Sequence, residues 1–282
     1  TNQSRAGTTE RAENSAKALE ARTKLARYVG TTDWTNANKD DPEALQTAER
    51  LVRGGLRRAA ADHTNAGSAL SNQAVGIGDK VSRDPIFERA LSEYKLAAQG
   101  WAGYLGQDEN APDAYESRYW LADANHMIVV ITVALDRSPS PAEIDEARKT
   151  AIAVRDSNED DKYLQPAAYM VVDIAHQALT DQYNLYKRTN GSQGLEFRDA
   201  LKILNAGTEQ ETFAKDPVPE QVLQAVAARD DYNRRVPPAL DTPKNIAAYR
   251  FQSADYFFIY GQFEDAKKRY TLNVGLFTGT QY

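Results

Sequence analysis

The 282-residue chain contains no cysteine, two methionines and three histidines. Without cysteine there is no disulfide framework, no thiol nucleophile and no cysteine-ligated zinc or iron–sulfur site. A reducing compartment and an exported protein without disulfides both fit that absence. A basic block is also lacking. The chain has 34 Lys and Arg against 40 Asp and Glu, a net charge of -6, which argues against nucleic-acid binding. The longest apolar run, Met127 to Leu135, falls short of the roughly 20 residues a transmembrane helix needs. Alternating β-branched and aromatic runs bounded by tight turns are missing, so strands are not expected. The chain opens on Thr1 without a signal peptide, as a processed chain or an excised piece of a longer protein would.

What is present is helical. Hydrophobic residues make up 41 %, too many for a disordered chain. Alanine contributes about 15 % of all residues and ranks first in helix propensity. Apolar periodicity predicts helices near 9–29, 42–61, 64–76, 84–106, 113–136, 141–156, 162–187, 195–205, 218–231, 243–261 and 262–275. Asp84-Pro85 and Ser140-Pro141 read as helix starts, the latter with Glu143 at the capping-box position. The polar and proline-rich breaks between helices are short, as between packed antiparallel helices. Such a chain is a bundle or a solenoid.

Repeats separate the two. The stretch Tyr249 to Tyr270 has small Ala254, then Gly261, Phe263, Ala266 and Tyr270. These offsets resemble the tetratricopeptide (TPR) repeat, a helix–turn–helix of about 34 residues. Small residues let two helices approach, Gly261 suits a left-handed turn, and Phe257, Phe263 and Tyr270 fill space against the next pair. Gly100, Tyr104 and Pro112, followed by Leu121 and Ala122, fit the same offsets, and Ala147 and Ala151 do so in part. The resemblance implies an all-α fold of antiparallel helix pairs stacked as a TPR-like solenoid with divergent repeats. It covers 84–282 as the repeat array, with 1–83 as an N-terminal helical region. The last 40 residues also resemble TPR proteins of the Gram-negative cell envelope, some of them parts of motility or secretion machines. That likeness points to the bacterial periplasm or an outer-membrane association, with the cytoplasm as the alternative.

A second internal similarity is a stripe. Tyr119, Asp123 and His126 recur as Tyr169, Asp173 and His176, and as Phe251, Asp255 and Phe258. An aromatic, an acid four residues on and a ring three further share one helical face. In the TPR alignment that face lines the concave groove. The resemblance then implies a non-enzymatic scaffold or adaptor that binds a protein or peptide segment through these nine residues. Groove aromatics supply contact area, and the three acids favour a basic partner segment.

Two other readings stand beside this one. The array could be a structural subunit of an envelope machine, packed permanently against its neighbours. It could instead be a helical metalloprotein, since Asp123/His126 and Asp173/His176 are two D-x-x-H pairs, related to the carboxylate–histidine motifs of di-metal bundles. The reach of Asp is short and helices stack roughly 10 Å apart, so no metal or other cofactor is expected. Asp156 to Asp161 opens like a calcium loop, but its sixth position is Asp161 rather than Gly and its twelfth is Ala167 rather than Glu. Gly76-Ile77-Gly78 has no preceding strand or third Gly and reads as a loop.

Overall fold

The computed structural model describes residues 17, 21, 24, 27–29, 31–190, 203–204, 207–209 and 212–277. Their architecture is all-helical. One antiparallel pairing, β1 (Ile203–Leu204) with β2 (Thr212–Phe213), is too short to form a sheet. The expected helix 195–205 lies outside the described residues except for these two extended positions. The chain forms two compact units, Thr1–Ile131 and Thr132–Tyr282.

In the first unit a short helix, α1 (Thr32–Ala37), is capped by Thr31. It precedes a hairpin of two long helices, α2 (Pro42–Val75) and α3 (Lys80–Leu105). Asp41 caps α2 through the Ala44 N–H, with Pro42 in the first turn. Asp79 caps α3 through the Ser82 N–H. Gly76 ends α2, so Gly76 to Gly78 belong to the connecting loop.

The antiparallel hairpin closes where side chains are smallest. A Cβ on Gly100 would lie 2.9 Å from the Ala60 Cβ, and one on Gly67 would lie 3.0 Å from the Tyr94 ring. Leu56, Phe87, Tyr94, Trp101 and Tyr104 fill the rest, each large buried side chain contributing about 1.5–3 kcal/mol.

Two expectations for this hairpin need correction. The helices expected at 42–61 and 64–76 are one, because Asp62 and His63 include no breaker and the polar side chains of His63 and Thr64 are used across the hairpin. His63 Nδ1 lies 2.7 Å from Glu93 Oε2, and Thr64 Oγ1 accepts from Trp101 Nε1 at 3.0 Å. Helix α3 starts at Lys80 rather than after Asp84, so Pro85 sits inside it and Asp84 pairs with Arg83 at 2.9 Å. The division expected at 83/84 therefore falls within α3.

Helix α4 (Ala114–Ala134) carries the boundary between the units. The second unit contains α5 (Pro141–Arg155), α6 (Leu164–Asn190), α7 (Glu220–Arg235), α8 (Asn245–Ile259) and α9 (Phe263–Phe277). Each of these helices packs on the next in sequence. The capping box expected at α5 is present: Glu143 N–H bonds the Ser140 hydroxyl, and the Ser140 N–H bonds the Glu143 carboxylate.

One core joins Ala168 and Val172 of α6 to Tyr232, Val236 and Tyr249. A second joins Leu179 to Val222, Ala225 and Tyr260. Buried Tyr232 donates to Asp241 at 2.8 Å and accepts from Gln165 at 3.0 Å. Asp241 in turn accepts the Asn245 and Ile246 N–H groups at the start of α8.

The turn between α8 and α9 is the one expected. Gly261 has φ +68, Gly261 N–H bonds Phe258 O, and Gln262 N–H bonds Phe257 O. That is a Schellman closure, which needs a left-handed residue. A Cβ on Gly261 would also lie 2.2 Å from the Ala214 carbonyl oxygen.

Candidate interaction site

The three stripes of the sequence occupy three different surroundings. In the first unit the α4 stripe is largely turned inward. His126 is 6 % exposed, and Tyr119 is half-buried edge-on against Trp120, with ring centroids 5.0 Å apart. Burial pushes the Asp123 carboxyl above its ordinary range, with His126 opposing. Tyr94 of α3 is pushed up to about 12, first by burial and then by the Asp123 charge. Asp123 and His126 therefore face the interior of their unit, with Tyr119 at its edge.

The α6 stripe in the second unit is open to solvent. Tyr169 is 42 % exposed, His176 is exposed and Asp173 is half-buried between them. Beneath them lies Arg229 of α7, only 4 % exposed. Its Nε donates to Gln252 Oε1 and its Nη1 to Ala225 O, both at 3.0 Å. Its guanidinium also lies 5.7 Å from the Tyr249 ring centroid and 5.4 Å from that of Tyr256, a geometry in which the ring faces attract the cation. Desolvation, and then the Arg229 charge, hold His176 below its usual range, with Asp173 opposing. Burial, then Asp173, raises Tyr169. Tyr249 is raised by burial first and then by Tyr169 and Tyr232. Aromatic, carboxylate and imidazole groups thus share one surface over a fixed buried cation.

The α8 stripe turns toward α9. Phe251 meets the rings of Tyr270 and Phe277, each at 6.4 Å. Asp255 accepts the Tyr270 hydroxyl, and Phe258 packs on Phe263 at 5.4 Å while staying 43 % exposed. Phe263 and Tyr270, expected against a following pair, are engaged here within the α8–α9 pair. Phe257 is too, under the Arg269 guanidinium at 4.8 Å.

The second unit also holds residues that sequence reading missed. Arg155 is buried and forks onto Asp156 at 2.7 and 3.0 Å while its Nη1 reaches Asp231. Arg235 joins Asp156 at 3.0 Å. Asp156, the first residue of the calcium-like segment, is therefore held by two guanidinia, and its carboxyl stays below the usual range mainly through the Arg155 bond. Among the described residues no group of three or more His, Asp or Glu converges as metal ligands, and no helix is long and apolar enough to cross a membrane.

No protein-family model, no curated protein and no solved structure matches the chain.

Proposed function

We propose that the chain is a non-enzymatic protein–protein interaction scaffold, a divergent TPR-like solenoid that holds a segment of a partner protein. The observation that carries this reading is the α6 surface. Tyr169 and His176 are exposed on one helical face, with Asp173 between them and Arg229 fixed below. Exposed aromatics on a rigid helix bind at low entropic cost. The carboxylate favours a basic segment by charge complementarity. Phe258, exposed at the end of α8, supplies a second contact of the same kind. The sequential packing of α5 to α9 and the left-handed Gly261 turn support the repeat reading.

Affinity capture from source lysate tests it. The wild-type chain is compared with a Tyr169→Ala, Asp173→Lys, His176→Glu variant of equal helicity by circular dichroism. The scaffold reading expects a partner retained by wild type and lost by the variant. Equal capture by both would remove the α6 surface from the reading.

A permanent structural role, as a subunit of an envelope machine, draws on a different observation. Helix α9 leaves Leu272, Val274 and Leu276 exposed at 57 %, 62 % and 53 %. Substituting these by Ser should release a tightly bound neighbour, and a complex that survives the change would count against that role.

A further inference from the structure

The second unit contains a basic cleft unrelated to any stripe. It lies among α7, α8 and α9 and measures about 390 Å³, within the roughly 300–1,000 Å³ range of small-ligand sites. Arg234, Arg250, Lys268 and Arg269 line it together with Asn233, Asn273 and one carboxylate, Asp230. Four cations thus meet around one cleft against a single lining carboxylate, in a chain whose net charge is -6.

The cleft is preorganised and its hydrogen bonding is incomplete. Arg269 is fixed from two sides, by Asp230 at 2.9 Å and by the Phe257 ring at 4.8 Å. Arg234 pairs with Asp231, and Lys268 lies 3.8 Å from Asp265. Among the described residues no carboxylate pairs with Arg250. Its Nε is buried and has no hydrogen-bond partner, and the same holds for Asn233 Oδ1 and Asn273 Nδ2. Asn273 is only 2 % exposed. Buried polar atoms normally find partners, since leaving them unpaired costs stability. Three such atoms cluster in the walls of one cleft, where a ligand that shifts these side chains would supply the partners they lack.

Their chemistry selects the ligand class. A guanidinium presents N–H groups in a fork that matches phosphate oxygens, and an ammonium adds a point charge. Asn273 Nδ2 is a further donor. Asn233 Oδ1 is an acceptor and requires a hydroxyl or N–H group on the same ligand. We propose that this cleft binds a small hydroxylated organic phosphate of the sugar-phosphate type. The phosphoryl group sits between Arg250 and the cations of α9, and a ligand hydroxyl meets Asn233.

Isothermal titration of the full chain with ribose 5-phosphate, inorganic phosphate and ribose, at fixed ionic strength, tests this. The sugar phosphate is expected to bind one-to-one, inorganic phosphate more weakly, and ribose not at all. Arg250→Gln should weaken the sugar phosphate about tenfold or more, the order of one lost charge-assisted hydrogen bond. Lys268→Gln, at an exposed position, should weaken it as well without disturbing the fold. Arg148→Gln, on α5 and outside the cleft, should leave it unchanged. Absence of saturable binding would overturn the proposal. So would equal binding of ribose, or equal binding by both cleft variants and wild type.

Discussion

The pattern Tyr-x3-Asp-x2-His occurs once on α4 and once on α6, and the two copies have opposite fates. On α4, in the first unit, Asp123 is desolvated and His126 is buried. On α6, in the second, Tyr169 and His176 face solvent and Asp173 is half-buried. The units differ in how they fill their interiors. The first relies on two long helices drawn together at Gly67 and Gly100, with polar pairs such as His63–Glu93 between them. The second stacks successive helices around buried guanidinia, Arg155 and Arg229, whose bonds are satisfied by carboxylates, an amide and ring faces. A helical stripe is a local property, whereas its burial depends on the helix that packs against it.

The largest expected effect breaks the second unit at its turn. Gly261→Val imposes a left-handed φ on a β-branched residue, costing about 1–2 kcal/mol. It also drives a Cβ into the Ala214 carbonyl, a steric clash of about 1–3 kcal/mol. Chemical denaturation should show a loss of roughly 3 kcal/mol, and a loss under about 1 kcal/mol would mean that this turn is not the rigid closure described.

Next comes the first unit's close approach. Gly100→Leu forces α2 and α3 apart at Ala60 and should cost about 1–3 kcal/mol. Gly103→Leu on the same helix, with nothing within 4 Å of its Cβ, should cost nothing and gain helix propensity. Equal melting of the two variants would contradict the packing at Ala60.

Acid sharpens the comparison further. Asp123 has a raised folded-state pKa, so the folded chain binds more protons than the unfolded one just above the ordinary Asp range. Its contribution to stability grows as pH falls through that window and is lost as pH rises. Asp156 is the opposite case: its carboxyl is held low, so its contribution is present above the ordinary range and lost as pH falls below it. Asp123→Asn should therefore raise the melting temperature near neutral pH and narrow the gain on mild acidification, and Asp156→Asn should lower it. A fall in melting temperature for Asp123→Asn at neutral pH would sink the assignment of a desolvated carboxylate.

The smallest effect is local. Ser140→Ala removes the α5 capping box and should cost about 1 kcal/mol. A cost above about 2 kcal/mol would show that Ser140 does more than cap.

Much of the fold was legible because helix ends are written locally. Ser140 and Glu143 marked the start of α5, Gly261 its left-handed turn at α8–α9, and Gly76 to Gly78 a loop. Two boundaries misled, one through contacts with another helix and one through an earlier cap. Asp62 and His63 read as a gap between two helices, but His63 is held by Glu93 on the facing helix. Asp84-Pro85 read as a start, but Asp79 caps the helix earlier. For the candidate site, the stripe on α6 was visible in sequence, and Arg229 beneath it was not. The basic cleft left no trace at all, because Arg234, Arg250 and Lys268 come from three helices with no shared spacing.

The most direct test of the contrast is a matched pair of charge reversals, Asp123→Lys and Asp173→Lys, followed by thermal unfolding and partner capture. Asp123→Lys is expected to melt far below wild type, because it buries an unpaired cation. Asp173→Lys is expected to melt close to wild type and to lose the captured partner. Similar melting of the two, or capture undiminished by Asp173→Lys, would contradict the account.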